Sequence, residues 1–340
     1  IGNRISNLSY DEGSDVFDLI DYTKNQLKEL ETYLITEKIQ SNETIIDEVK
    51  QDILLADSKG GIIGYSTGIP ALDLALLGLR EGLKYVIAAL PGQGKTSLVK
   101  SICIFLAQNG VPGVFFSMEM SKKQIMMSCI STILNIPNVS IQQGRVSPDD
   151  LQRIEDLKLT LFSKNFLIDD RSALSPEEMR LTVKKLVAEY DIKWVAIDHI
   201  GKQKLKGNHH KNKSKEERVS EIASENKNLA KDFNLVVFEL SQLTKETMKN
   251  ADKKPNLGNL RDSGAIEAEA DVVMFVHRPE KHGIKELNDE GDSSEGFAEI
   301  IIAKQRFGPP MSVATRYIAQ TTTFVAHEVG MQLEDNGPVF

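Results

Sequence analysis

The stretch ALPGQGKTS (Ala89 to Ser97) constrains this chain more than any other, because of what flanks it. It follows the apolar run YVIAAL and leads into the helical pattern LVKSICIFLAQNG. A strand, a glycine-containing loop and a helix in that order are what a phosphate-cradling P-loop requires. Gly92 and Gly94 let backbone amides turn inward around phosphate oxygens, and the helix N-terminus adds its partial positive charge. Lys95 can reach β- and γ-phosphates, and the Thr96 hydroxyl can ligate Mg²⁺. The loop begins with Ala89 in place of the usual glycine. An accidental Gly-rich turn is the bland alternative, and the flanking elements argue against it. Pro91, Gly92, Gln93, Gly94, Lys95, Thr96 and Ser97 are therefore the expected binding residues for a nucleoside triphosphate.

From Tyr65 to about Glu328, short β-rich runs alternate with helical patterns. The expected strands are YVIAAL, GVFFSM, FLIDD, WVAIDH, LVVFEL, DVVMFVH and AEIIIAKQR. Several of the gaps between them are long enough for crossover helices, which predicts a largely parallel α/β sheet. Three strand ends carry candidate chemistry. Asp198 closes KWVAIDHI, where a carboxylate can hold Mg²⁺ across from Thr96, although a strand-terminal Asp is also a common turn residue. Glu119 follows GVFFSM and could polarise a water beside the γ-phosphate, or simply serve the first turn of the next helix. Gln242 ends LSQ as a neutral side chain suited to sensing a phosphate, or as a solvated loop residue. In EIIIAKQRFGPP, Lys304 and Arg306 sit two apart, so on a strand they share a side. Two like charges gain nothing from each other: such a pair is most often a solvated edge, or else it is placed to meet an anion.

The 340 residues allow one large domain or a domain with an appendage. With 41% apolar and 26% charged residues the composition is that of an ordinary globular protein. No apolar run approaches the ~18 residues of a membrane span. The net charge of −8 argues against coating nucleic acid with the whole surface, so any such binding must come from local patches. Cys103 and Cys129 lack metal or disulfide spacing and fall in helical segments, which predicts buried, reduced thiols and a cytoplasmic setting. The opening IGNRISNLSY reads as a chain whose natural N-terminal part has been removed. Residues 14 to 36 place Phe17, Ile20, Leu27, Leu30 and Leu34 on one helical face, capped by Ser14 or Asp15. Such a helix needs another surface for its stripe, in its own domain or on a neighbour. A second helical stretch runs from about Ile45 to Ala56, before the glycine cluster SKGGIIGYSTG. The Lys-rich Gly201 to Arg218 reads as a solvated loop. Its His209 and His210 lack the fixed geometry and partners of a metal site.

Taken together, TGIPALD, LPGQGKTS, FSMEMS, VAIDHI, LVVFELSQL, NLRDSGAIEAEADVVMF and AEIIIAKQRFGP resemble, in order, the RecA-like motor domain of DnaB-family replicative helicases. Any one of these motifs has many chance matches; all of them in register do not. The resemblance implies an α/β fold: a RecA-like P-loop NTPase with a central, mostly parallel twisted sheet flanked by helices, preceded by an α-helical linker. Residues 1–57 would be residual N-terminal region and linker, and 58–340 the motor. It further implies ATP and Mg²⁺, a DNA-dependent ATPase and helicase, a hexameric homo-oligomer, and 5′-to-3′ travel on single-stranded DNA. Primase and a helicase loader would be partners, and the family's N-terminal collar domain is essentially absent.

By the same resemblance Glu119 is the catalytic carboxylate, Asp198 the Mg²⁺-associated Asp, and Gln242 a relay between ATP and DNA. Lys304 and Arg306 are a lysine and an arginine finger acting on a neighbouring subunit's ATP. Leu260 to Asp271 is the DNA loop of the central channel, with Arg261, Asp262 and Gly264 on the strand backbone. The loop from Gly201 to Arg218 would face that channel. Two positions depart from the family pattern: His199 stands where an aromatic residue is usual, and Ser224 where an Arg is frequent. A RecA-like recombinase or regulatory ring ATPase would share the early motifs but not the paired late ones.

Overall fold

A computed structural model describes residues 41–58, 60–205, 213–243, 254–287 and 291–327, the side chains of residues 261–263 excepted. The helix expected over residues 14 to 36 lies outside the described residues, as do His209, His210 and the side chains of Arg261 and Asp262. The chain divides into two units between Leu55 and Ala56. Helix α1 (Asn42–Ser58) corresponds to the helical stretch expected from Ile45 to Ala56.

In the larger unit, helix α2 (Pro70–Leu76) precedes strand β1 (Lys84–Ala89), followed by α3 (Lys95–Gln108) and β2 (Gly113–Ser117). Helices α4 (Lys122–Leu134), α5 (Asn138–Gln142), α6 (Pro148–Asp156) and α7 (Leu161–Asn165) lead to β3 (Phe166–Asp169). Then come α8 (Pro176–Tyr190), β4 (Trp194–Asp198), α9 (Lys215–Asp232) and β5 (Val236–Gln242). A 3₁₀ segment (Leu257–Ser263) and the short α10 (Gly264–Ala268) precede β6 (Val272–His277), β7 (Phe297–Gln305), β8 (Met311–Ile318) and β9 (Thr323–Ala326).

These strands form one nine-stranded sheet in the order β3-β2-β4-β5-β1-β6-β7-β8-β9. Pairing is parallel from β3 to β6 and antiparallel from β6 to β9. Burial explains the change. Every residue of β1, β2, β4 and β6 is buried, as expected for strands covered on both faces. Strands β7 and β8 alternate between buried and more exposed positions, the pattern of antiparallel strands with one open face. The expected strands are all present, and β8 and β9 add a hairpin that their polar, alternating residues concealed.

Alternate residues feed two cores. Tyr85, Ile87 and Ala89 of β1 join Leu98, Ile102 and Cys103 of α3 on one face. Val86 and Ala88 pack with Ile222 and Ala223 of α9 on the other. Cys103 and Cys129 are buried free thiols. Beneath α9 lies a buried ion pair, Lys84 Nζ to Glu239 at 3.4 Å, with both side chains fully buried. Lys84 also donates to the Ala223 carbonyl at 2.9 Å, and Asn226 donates to Glu239 at 2.8 Å and to Gln203 at 2.8 Å. Buried charges persist only where paired and hydrogen-bonded in this way. The network fixes the start of β1, the middle of β5 and the turn after β4 relative to one another.

Candidate functional site

The carboxyl ends of β1, β4 and β5 form the edge where open α/β sheets bind ligands. From β1 the chain enters the loop Leu90 to Gly94 and then α3. Gly92 has φ +78° and Gly94 φ +103°, both in the left-handed region that favours glycine. At Gly94 a Cβ would also lie 3.0 Å from the Phe324 ring, a tight contact that adds to the preference for glycine set by φ. The loop borders a cavity of about 250 Å³, lined also by Lys95, Thr96, Ser97, Gln242 and Tyr317. Gln93 departs from its neighbours. Its side chain is buried, accepts from the Arg278 amide at 2.8 Å and pairs with His282 Nε2 at 2.8 Å. It therefore ties the loop to the segment after β6 and is not among the residues that line the cavity.

Lys95, Thr96 and Asp198 converge although Asp198 lies more than a hundred residues downstream. The Thr96 hydroxyl donates to Asp198 Oδ2 at 2.7 Å, and Lys95 Nζ is 3.4 Å from Oδ1. Parallel pairing of Ser117 with Asp198 brings the end of β2, and hence Glu119, beside them. Helix α4 is capped reciprocally by Ser121 and Gln124. Those residues fulfil the helix-start duty that was the ordinary alternative for Glu119. Its carboxylate instead meets His199 Nε2 at 3.0 Å, with Lys202 Nζ at 4.0 Å. The peptide joining Asp198 to His199 is cis. Gly201 N–H donates to His199 Nδ1 at 3.0 Å, so Nδ1 is the acceptor and Nε2 carries the proton of a neutral ring. Burial pushes the His199 pKa below its ordinary value against the pull of Glu119, and the Lys95 ammonium adds to the lowering.

Gln242 is exposed at the end of β5, its Cα in register with Ala89. Tyr317 of β8 was not legible from the sequence: it closes the cavity from more than two hundred residues away. Its ring lies 3.6 Å beneath the Arg278 guanidinium and makes an edge contact with Phe324.

Lys304 and Arg306 are not brought to this cavity. Gln305 is in register with Val272, and Val272 with Tyr85, at the opposite end of β1 from the loop. From Tyr85 to Leu90 is roughly 16 Å at ~3.3 Å per residue. Arg306 Nε rests 2.9 Å from Asp271 Oδ1, its side chain 57% exposed. Lys304 Nζ donates to the Glu267 carbonyl of α10 at 2.6 Å. Lys304 pairs with Val273 and Ile302 with Met274, so Ala303 is the extra residue of a β-bulge. Without it Lys304 would share the face of Ile300 and Ile302; the bulge turns it toward α10. Gly264 begins α10 at φ −51°, and a Cβ there would meet nothing within 4 Å.

Among the described residues no group of three or more His, Cys, Asp or Glu could hold a metal, and no helix is long and apolar enough to cross a membrane.

Comparison with known proteins places the chain in one family. Replicative DNA helicase DnaB of Buchnera aphidicola subsp. Acyrthosiphon pisum (strain APS) is 32% identical over 322 residues, which cover 91% of this chain and 67% of that protein. The chain thus spans about two thirds of that relative. One solved ATPase domain superposes with a TM-score of 0.75 at 27% identity, over 85% of this chain and 99% of that one. A DnaB-like replicative helicase studied for its interactions with primase gives a TM-score of 0.72 at 26% identity, over 91% of this chain and 72% of that one. Residues 64–326 match the model of the DnaB-like helicase C-terminal domain. The chain belongs to that family, the RecA-like ATPase motor of replicative DNA helicases.

Proposed function

We propose that this chain is one subunit of a ring that hydrolyses ATP at its subunit interfaces to travel 5′ to 3′ on single-stranded DNA and part the duplex at the replication fork. The observation that carries the reading is a division of labour within one sheet. Lys95, Thr96 and Asp198 converge at one end, whereas Lys304 and Arg306 are presented at the other. Charges placed that far from their own loop suit the phosphates of a neighbouring copy.

Within one subunit, the turned-in amides of Gly92 to Thr96 and the Lys95 ammonium would bind the β- and γ-phosphates. The donor set fits Mg²⁺: one hydroxyl and one buried carboxylate at 2.7 Å, both hard oxygens, as in sites completed by substrate phosphates. Thr96 and Asp198 would hold the ion, which when bound supplies charge neutralisation along the phosphate oxygens. Glu119 orients the attacking water and accepts its proton. Gln242, at the cavity wall beside the loop, senses the γ-phosphate. Lys304 and Arg306 of the adjacent subunit neutralise charge that develops as the bond breaks.

Arg261, Asp262 and Gly264 contact the DNA backbone, where amides and a cation follow phosphates without reading bases. A link to the fingers is built in, since Lys304 holds the Glu267 carbonyl and Arg306 holds Asp271, both close after Gly264 in the chain. Residues 1–57 serve as residual N-terminal region and linker, with 58–340 as motor. A primase partner is supported by the interactions described for the DnaB-like neighbour; a loader would act through the N-terminal region or the motor surface. Forked duplexes with a 5′ or a 3′ tail test the proposal: unwinding needs the 5′ tail and ATP, and is lost in Lys95→Ala. Strand exchange without unwinding would favour a recombinase instead.

A further inference from the structure

We infer that His199 is a positioning residue for Glu119, aiming the carboxylate that prepares the attacking water. The inference rests on the reading of Glu119 as the catalytic carboxylate.

Left to itself, Glu119 is poorly aimed. It lies beyond the end of β2, its side chain is 37% exposed, and the cap of α4 is made by other residues. Ordering such a long side chain costs rotamer entropy that some partner must offset. Lys202 is a weak candidate, half exposed and 4.0 Å away. His199 is a better one. Its side chain is 11% exposed, and its Nε2 is 3.0 Å from Glu119 Oε1.

The turn after β4 is shaped around this ring. The Gly201 amide occupies Nδ1 at 3.0 Å, so the ring presents a donor, not an acceptor, to Glu119. In that role His199 gives up no proton, and the remaining lone pairs of the carboxylate stay available to water. Gly201 also makes room: a Cβ there would lie 2.8 Å from His199 Cε1 and 3.0 Å from Nδ1. The turn itself is braced. Lys202 N–H returns to the His199 carbonyl at 3.0 Å, and Gln203 N–H to the Ile200 carbonyl at 3.1 Å. The Gln203 side chain is buried against Asn226, which is bonded in turn to Glu239 in the core. A ring held at both nitrogens, on a turn anchored to the core, is a rigid support for a mobile carboxylate.

The test is steady-state ATP turnover of the chain assembled on single-stranded DNA, with kcat and KM for ATP measured separately. His199→Phe keeps a planar ring but removes the donor; kcat should fall roughly tenfold to a hundredfold while KM changes less than about twofold. His199→Gln, which can donate from a similar reach, should recover part of the loss. On a Glu119→Gln background, His199→Phe should cost nothing further. Gly201→Ala, which displaces the ring but keeps its amide partner, should also lower kcat and decides the matter if His199→Phe fails to fold. Wild-type kcat in folded His199→Phe or Gly201→Ala, with Glu119→Gln reduced to a low but measurable rate, overturns the inference and leaves the role of Glu119 standing. A rise in KM alone, or an equal loss on the Glu119→Gln background, overturns it too. Wild-type turnover in Glu119→Gln removes the assignment of Glu119 itself, and His199 with it.

Discussion

Lys100 is 2% exposed in α3, one turn beyond Thr96, and its ammonium donates to the Ser128 carbonyl, Ser128 Oγ and Thr322 Oγ1 at 3.3, 2.6 and 2.9 Å. These oxygens are neutral, and burial lowers the Lys100 pKa from 10.5 to about 8. The folded state therefore holds fewer protons than the unfolded chain between those values, and stability contributed by this group rises with pH across that window. Below pH 8 both states carry the charge and its burial penalty is felt in full. Relative to Lys100→Met, the wild-type chain should gain up to about 3 kcal/mol in urea melts between pH 8 and 10.5. A pH-independent difference would show that the ammonium is well solvated where it stands. Gly264 offers a complementary case, because its backbone is ordinary and a Cβ would have open space. Gly264→Ala should leave stability unchanged or raise it by about 0.4–1 kcal/mol. If a DNA backbone packs closely against this position, the added Cβ should hold it off the retained amide and lower single-strand affinity by roughly threefold to tenfold, about the worth of one weakened hydrogen bond. Equal affinity in fluorescence-anisotropy titrations would exclude close packing of DNA against the Gly264 Cα.

Among the elements, the buried strands announce themselves most clearly. Runs such as YVIAAL and DVVMFVH are apolar on both faces because helices cover both faces, and no other reading fits their length. The hairpin of β8 and β9 is quieter: SVATRY alternates Ser, Ala and Arg with Val, Thr and Tyr, and its partner strand is only four residues long. Tyr317 belongs to that hairpin, which is why one wall of the cavity stays hidden in the sequence. The bulge at Ala303 is hidden for a different reason, since only register with β6 defines it. The turned-away side chain of Gln93 likewise depends on Arg278 and His282, far along the chain. Local spacing singled out the loop residues, Asp198 and Glu119; long-range pairing decided where their side chains, and Lys304 and Arg306, went. The β1–β5 ion pair gives a test at this scale. Glu239→Ala strands the Lys84 ammonium in the core and should cost about 3–5 kcal/mol, whereas Lys84→Met combined with Glu239→Leu should cost far less. Equal losses in urea denaturation would mean that the two charges do not depend on each other.

For the whole molecule, the decisive distance is the one between the loop Leu90 to Gly94 and the pair Lys304 and Arg306 of the same chain. Strand register holds Lys304 and Arg306 near the start of β1, and the loop follows its end. A rotation of side chains cannot close roughly 16 Å along a rigid, fully paired strand. If both cations serve the ATP site, as proposed, the site needs two copies joined head to tail, and a head-to-tail contact that repeats must close into a ring or run on as a filament. Complementation between two inactive variants tests this. Lys95→Ala removes the loop lysine from every site it contributes, and Arg306→Ala removes the finger. Each alone should turn over ATP poorly on single-stranded DNA. Mixed in equal amounts before assembly, about a quarter of the interfaces pair an intact loop with an intact finger, if subunits assort at random. Turnover should then rise above that of either variant, toward that fraction of wild type where sites fire independently. It should peak near equal mixing and disappear when the two substitutions share one chain. Activity no greater than the weighted sum of the two variants at every ratio would count against fingers that act on independent neighbouring sites.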